Sequence, residues 1–194
     1  MKVSLIISVF NEEQVLPLFW DELHKVIRSL GQHRFECVWV NDGSTDTSQT
    51  LISQICSDPG FYGDTQSIEF SRNYGHEAAM IAGVDYATGE VMICMDADLQ
   101  HPPSSIPAML DAFKEGVDIV TMTRSSRADS QGAKKGLSRW FYKMLNALSD
   151  FEFEKNASDF FLVSRRVADI LKNNFRERNR FLRGYIQIIG FDKR

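Results

Sequence analysis

Cysteine is scarce in this chain of 194 residues: only Cys37, Cys56 and Cys94 occur. They are odd in number, widely spaced and set in apolar segments, which excludes a disulfide framework and a zinc-ribbon array. Buried thiols in a reducing compartment are the expected state. Long apolar runs are missing as well, and none approaches the roughly 20 residues needed to cross a bilayer. Lys2 followed by Val3–Phe10 imitates the start of a signal peptide. The stretch is short, however, and Asn11-Glu12-Glu13 stands where a small-residue cleavage site belongs. No G-x-G-x-x-G follows the first apolar run and no G-x-x-x-x-G-K-[ST] occurs, which counts against a Rossmann dinucleotide site and a P-loop. The absences point to a cytoplasmic domain, about one core in size, with 43% hydrophobic residues to fill it.

Basic residues are few in the first part. Residues 1–123 carry 6 lysines and arginines against 18 acids, a net of −12. Residues 124–194 carry 16 against 8, a net of +8, and the whole chain comes to −4. An acidic part followed by a basic part suggests two jobs within one domain, because no linker divides them. The basic part suits phosphates, nucleic acid or an anionic membrane surface. A solvated helical surface accounts for many of these charges but not for their clustering.

What is present is an alternation of strand-like and helix-like segments. Lys2–Phe10, Phe35–Val40, Ser67–Phe70, Val91–Met95, Val117–Thr123 and Ser158–Val163 read as strands. Residues 13–30 place Leu16, Phe19, Leu23, Val26, Ile27 and Leu30 at helical spacing, with Asn11 and Gln14 resembling a capping box. Further helices are expected at Thr47–Cys56, Glu77–Tyr86, Pro103–Lys114, 134–149, Arg166–Asn173 and Arg176–Ile189. This rhythm predicts an α/β fold with a mostly parallel central sheet and helices on both faces.

The strand ends carry the chemistry. Asp96-Ala97-Asp98 follows Val91–Met95, so two carboxylates one residue apart stand where a buried strand leaves the sheet. They repel unless a cation joins them, and hard oxygen ligands suit Mg²⁺ or Mn²⁺, which complete their shells with water and phosphates. The alternative is an acidic turn in which Asp98 or His101 leads into the helix near Pro103. Asn11-Glu12-Glu13 and Asn41-Asp42-Gly43-Ser44-Thr45-Asp46 follow the first and second strands, as a ligand crevice along one sheet edge requires. Glu12 also reads as a first-turn acid on a helix dipole. Asp42-Gly43-Ser44 also reads as a turn with a cap, and His76 and His101 as loop or cap residues.

Five segments then match, in order and at family spacing: Phe10-Asn11-Glu12-Glu13, Val40–Asp46, Ser71-Arg72-Asn73-Tyr74-Gly75, Met95–Pro103 and Ser158–Arg166. On these the chain resembles the inverting family-two glycosyltransferases of the GT-A fold. Arg180-Phe181-Leu182-Arg183-Gly184 matches the branch that moves a sugar from a nucleotide diphosphate to a polyprenyl phosphate. The resemblance implies that Phe10, Glu12 and Asp42 hold the nucleoside. It implies that Asp96, Ala97 and Asp98 meet the diphosphate, that Asp96, Asp98 and Gln100 hold Mg²⁺ or Mn²⁺, and that Asp159, Arg124 and Arg139 serve catalysis. It further implies a UDP-sugar donor in preference to GDP, a polyprenyl phosphate acceptor and a peripheral place on the cytoplasmic side of the membrane. Nucleic acid is not an implied partner, whereas a homo-oligomer is allowed. One domain, 1–194, would divide into a nucleotide-sugar part (1–123) and an acceptor part (124–194), and relatives of this kind continue beyond Gly190-Phe191-Asp192. Two departures stand out. Ser8-Val9-Phe10 replaces a Pro-x-Tyr, which should loosen the backbone and removes a hydroxyl near the nucleoside, and Thr121-Met122-Thr123 replaces a glycine-containing turn before Arg124. A polysaccharide-elongating family-two enzyme and a non-catalytic nucleotide-binding domain are the alternatives.

Basic residues interleaved with large apolar ones in the last twenty residues suit an anionic lipid surface. We expect the chain to sediment with vesicles containing anionic lipid, less so as salt rises. With roughly 1 kcal/mol at stake per basic residue near the surface, Arg180→Glu with Arg183→Glu should weaken binding about tenfold or more. Equal binding of wild type to neutral vesicles would make this an ordinary surface segment.

Overall fold

The computed structural model describes residues 1–61, 63–123, 157–175 and 181–194. Six strands form one sheet: β1 (Lys2–Val9), β2 (Arg34–Asn41), β3 (Asp64–Glu69), β4 (Val91–Asp96), β5 (Ile119–Thr123) and β6 (Ala157–Ser164). Their spatial order is β3-β2-β1-β4-β6-β5. β1 pairs in parallel with both β2 and β4, and β2 with β3, while β6 runs antiparallel to its neighbours β4 and β5. The expected mostly parallel sheet is therefore present, with β6 as its single reversed strand among the described residues.

The central strands are apolar on both sides, as burial between two helical layers demands. In β1, Leu5, Ile7 and Val9 enter one core with Phe19, Trp20 and Leu23 of α1 (Leu16–Ser29), Ile52 of α2 (Ser48–Cys56) and Met109 and Leu110 of α4 (Ile106–Lys114). Ile6 enters the other, with Met80 and Val84 of α3 (His76–Tyr86), Val167 and Leu171 of α5 (Arg165–Asn174) and Leu182 and Ile186 of α6 (Leu182–Ile188). Phe19 and Trp20 both meet Trp39 edge-on, with centroids 6.2 and 5.8 Å apart. Cys37 and Cys94 are buried free thiols and Cys56 is half-buried; burial pushes the first two well above the ordinary thiol range.

Several local expectations change. The capping box does not form: α1 starts at Leu16 with Pro17 in its first turn, and Val15 precedes it without a side-chain cap. Asn11 instead adopts φ 56° and turns its side chain to the loop after β2, accepting a hydrogen bond from the Thr45 amide at 2.8 Å. β3 begins at Asp64 rather than Ser67, because this edge strand is half-buried and its polar start carries no apolar signal. The helix expected from Pro103 opens as a 3₁₀ turn, Pro103–Ser105, before α4. Pro107 has no N–H to return to the Pro103 carbonyl, which the Ile106 amide takes instead. The helices expected at 134–149 and over 176–180 lie outside the described residues.

At the amino ends of the strands a buried carboxylate ties three segments together. Glu36 accepts from Ser4 Oγ, from the Thr88 amide and hydroxyl, and from the Gly89 amide at 3.1 Å, and Lys2 Nζ lies 2.9 Å away. Burial alone would raise its pKa, but these donors bring it from 4.5 down to about 2. The stabilisation is then complete above pH 4.5 and is lost as pH falls through that interval to about 2. We expect Glu36→Gln to cost about 2 kcal/mol near neutral pH. It should also flatten the acid limb of stability, measured by urea unfolding across pH.

Candidate functional site

Parallel strands deliver their carboxyl ends to one edge, and three loops meet there. The loop after β1 is stitched to the loop after β2. Asn11 N–H donates to Ser44 Oγ at 3.0 Å, Glu12 N–H to Ser48 Oγ at 2.9 Å and Glu13 N–H to Asp46 Oδ2 at 3.1 Å. In return Glu13 Oε2 accepts from the Thr47 amide at 3.0 Å and hydroxyl at 2.7 Å. Glu12 is thereby fixed by its backbone, while its carboxylate lines a cavity of about 400 Å³ with Ser8, Val9, Phe10, Asp42, Asn73, His76, Asp96, Asp98 and Asp159. A second cavity of about 620 Å³ adjoins it, sharing Phe10 and Asn73 and reaching Arg72.

Asp42 is buried and holds the loop after β3. Its Oδ1 accepts from the Tyr74 amide at 2.7 Å and its Oδ2 from the Gly75 amide at 2.9 Å. Gly43 follows at φ 67°, and a Cβ there would overlap the backbone of Arg72 and Asn73, so only glycine lets the two loops close.

Asp96 ends β4. Its Oδ1 accepts from Ser8 Oγ at 2.5 Å and from His76 Nδ1 at 2.9 Å. Because a carboxylate only accepts, the His76 proton on this side must sit on Nδ1. Ser8 and Asp96 thus share one nitrogen of His76, at 3.1 and 2.9 Å. This is not the relay of a hydrolytic triad, which engages both ring nitrogens. Burial would raise the Asp96 carboxyl, but His76 and Ser8 outweigh it and hold it below its ordinary range. Burial would lower His76, yet the Asp96 carboxylate takes it above its ordinary value. Glu12 moves the other way: burial, then the charges of Asp98 and Asp96, raise it.

His101 is buried behind this edge. Its Nδ1 accepts the Asp96 amide at 2.9 Å, so Nε2 carries the proton and meets Ser158 Oγ at 3.2 Å, while the ring stacks on Phe160 at 5.1 Å. The pairing Cys94↔Phe161, carried two residues further, sets Asp159 opposite Asp96. The reversed direction of β6 is what brings the start of that strand to the ligand edge. Leu99, at φ 60°, turns the chain between Asp98 and Gln100, and Asp98 Oδ1 accepts the Gln100 amide at 2.9 Å.

Of the residues singled out in the sequence, Phe10, Glu12, Asp42, Asp96, Asp98 and Asp159 line one cavity. Ala97 is buried beneath them, and Gln100 is exposed and outside the lining. Arg124 and Arg139 lie outside the described residues. Ser8 was read as a loosening of the backbone; it lies in regular β1 pairing opposite Asp96 and fastens that carboxylate. His76 and His101 are more than loop or cap residues, since one lines the cavity and both hold Asp96. Nothing in the spacing of Ser8 and His76 betrays their meeting with Asp96; only the strand order does.

The five carboxylates of the lining face one imidazole. Among the described residues this balance of charge favours a cation over a bare anion. Among the described residues no group of three or more His, Cys, Asp or Glu is placed to hold a metal ion. A two-carboxylate site completed by phosphates and water, as Mg²⁺ uses, fits this donor set.

The sequence profile described as Glycosyl transferase family 2 matches residues 4–171. The prophage bactoprenol glucosyl transferase homolog of Escherichia coli K12 is 37% identical over 98% of this chain and 60% of its own length. The bactoprenol glucosyl transferase of Shigella phage SfX is also 37% identical, over 98% of this chain and 61% of its own. The chain thus spans about three fifths of these curated relatives. Among solved structures, the mannosyltransferase PcManGT from Pyrobaculum calidifontis, in complex with GDP-Man and Mn²⁺, aligns with a TM-score of 0.64 and 18% identity. It covers 98% of this chain and 53% of that one. Glucosyl-3-phosphoglycerate synthase from Mycobacterium tuberculosis, with Mn²⁺, UDP and phosphoglyceric acid, gives 0.54 at 17% identity, over 86% and 56%. At such identities the likeness shows the fold, which is the GT-A fold.

Asp42→Asn leaves one oxygen for two backbone amides and turns an NH₂ toward the other. We expect a loss of about 1–3 kcal/mol in urea unfolding, and unchanged stability would show that the two bonds are not made in solution.

Proposed function

The chain belongs to glycosyl transferase family 2, and on that premise we propose that it is the catalytic part of a metal-dependent inverting glycosyltransferase. The donor would be a UDP-hexose and the acceptor a polyprenyl phosphate met at the cytoplasmic face of a membrane. The observation that carries this reading is the cavity at the carboxyl edge of the sheet on which Glu12, Asp42, Asp96, Asp98 and Asp159 converge. The names of the relatives, bactoprenol glucosyl transferase, support the lipid acceptor and the glucosyl donor.

In this reading Asp42, Glu12 and Phe10 hold the nucleoside beside Asn73, and Asp96 and Asp98, with Gln100 next to them, would hold Mg²⁺ or Mn²⁺. The ion would supply positive charge against the leaving diphosphate. A phosphate oxygen of the acceptor attacks the anomeric carbon from the face opposite the nucleotide. The bond to the diphosphate oxygen breaks, UDP departs with the electron pair and the configuration inverts. The acceptor phosphate is already anionic near neutral pH, so no side chain has to remove a proton from it. Asp159, set opposite Asp96 across β4 and β6, orients the sugar rather than serving as a base. By the family resemblance Arg124 and Arg139 would meet the donor and acceptor phosphates, and the net of +8 over residues 124–194 suits that role. Burial raises the Glu12 pKa first and the charges of Asp98 and Asp96 add to it; a cation there would offset that second part.

A thermal-shift series tests the donor site. UDP with Mn²⁺ at a hundredfold excess over Kd should stabilise the chain by about 2.7 kcal/mol, roughly 5–10 °C at this size. UDP with EDTA should do far less, and Asp98→Asn should remove most of the difference. An equal response in EDTA would overturn a metal-dependent site, and a stronger response to GDP would overturn the choice of nucleotide.

A further inference from the structure

Four consecutive residues at the start of α3 reach three different parts of the molecule. Tyr74 and Gly75 give their amides to Asp42, at 2.7 and 2.9 Å. His76 gives Nδ1 to Asp96 at 2.9 Å. Glu77 follows it, and its Oε2 accepts the amide of Leu182 at 3.0 Å. Leu182 opens α6 and is buried in the same core as Ala79, Met80 and Val84 of α3. The residues on either side of it in sequence are Phe181, which is exposed, and Arg183.

The segment is short and stiff. Gly75 at φ 96° makes the turn into the helix, and the Gly75 carbonyl already accepts the amides of Ala78 and Ala79, at 2.9 and 3.2 Å. Tyr74, Gly75 and His76 thus tie the first turn of α3 to both carboxylates, and Glu77 ties that turn to Leu182. A carboxylate is well suited to the task, since its hydrogen bond to a backbone N–H is charge-assisted and directional.

We infer that Glu77 is a positioning residue that sets the 181–184 segment against the nucleotide site, so that donor and acceptor bind cooperatively. The inference rests on the donor and acceptor proposed above, and adds the link between them. Nothing in Glu77 touches the reacting atoms; it acts through the backbone of Leu182.

The test measures farnesyl phosphate binding to the whole chain by calorimetry, with and without saturating UDP and Mn²⁺. Coupling between sites is reciprocal and commonly amounts to 5–150-fold. For wild type, nucleotide and metal should tighten farnesyl phosphate about fivefold or more, and farnesyl phosphate should tighten UDP by the same factor. Glu77→Ala should bring the factor to within about twofold of one. Glu77→Gln, whose amide oxygen still accepts the Leu182 amide, should keep most of it. A merely structural role would lower the melting temperature of Glu77→Ala and leave the coupling factor intact, and that result overturns the inference. Binding of both ligands to wild type without coupling also overturns it while leaving the proposed function standing. Failure of farnesyl phosphate to bind wild type removes the acceptor reading and this inference together.

Discussion

Charge compensation at the carboxyl edge of the sheet is the constraint that the surrounding structure answers. Parallel pairing of β2, β1 and β4 brings Asp42, Glu12 and Asp96 to one edge, and the reversed β6 adds Asp159. Burial, and then the charges of its carboxylate neighbours, raise the pKa of Glu12. Three of the others are each answered by a different device. Asp42 is satisfied by two amides, Asp96 by a hydroxyl and an imidazole, and Asp98 by the Gln100 amide. The devices differ in strength, and the order matters. Asp42 and Asp96 are each tied into the fold by two contacts, whereas Asp98 accepts the Gln100 amide and Glu12 is raised by burial and its acidic neighbours.

That arrangement requires backbone conformations the chain would not adopt unaided. Asn11 at φ 56° and Leu99 at φ 60° are the positive-φ residues other than glycine among those described, and both stand in loops that leave the sheet at this edge. Such positions cost about 1–3 kcal/mol and persist only where neighbours over-determine them. For Asn11 the neighbours are Ser44 and Thr45; for Leu99 they are the Asp98–Gln100 bond before it and the buried His101 behind it. A leucine rather than an asparagine or glycine in the left-handed region is the more costly case. Its side chain packs against the core on the α1 face, which helps to offset the strain.

The sequence made the sheet legible because buried parallel strands are near-continuous apolar runs, and Val3–Val9, Phe35–Val40 and Val91–Met95 are that plain. It understated β3, whose polar start gives no such signal. The acids were legible too, since polar residues directly after apolar strands have few other places to go. What could not be read was any contact that depends on strand order. Ser8 looked like a lost proline because its partner, Asp96, is 88 residues away. His101 looked like a cap because Ser158 and Phe160 approach it only once β6 is inserted beside β4. The capping box at Asn11 failed for the same reason: a long-range partner at Thr45 outbid a local one.

The direction of β6 settles how residues from the basic part reach an acidic site. In a wholly parallel sheet the start of a strand lies at the edge opposite the ligand crevice, and Ser158-Asp159 would stand a strand length from Asp96. Antiparallel pairing with β4 reverses that, and His101 fastens the two ends by holding the Asp96 amide on one side and Ser158 on the other. The same reversal sends the end of β6 to the far edge, where Arg165 binds the Ala87 and Gly89 carbonyls and α5 turns back across the sheet. From α5 the chain leads on to α6, which packs in the α3 core and opens beside Glu77, one residue from the cavity lining. The reversed strand thus brings Asp159 of the second part to the acidic edge, while α6 is tied through Leu182 to Glu77, the neighbour of His76.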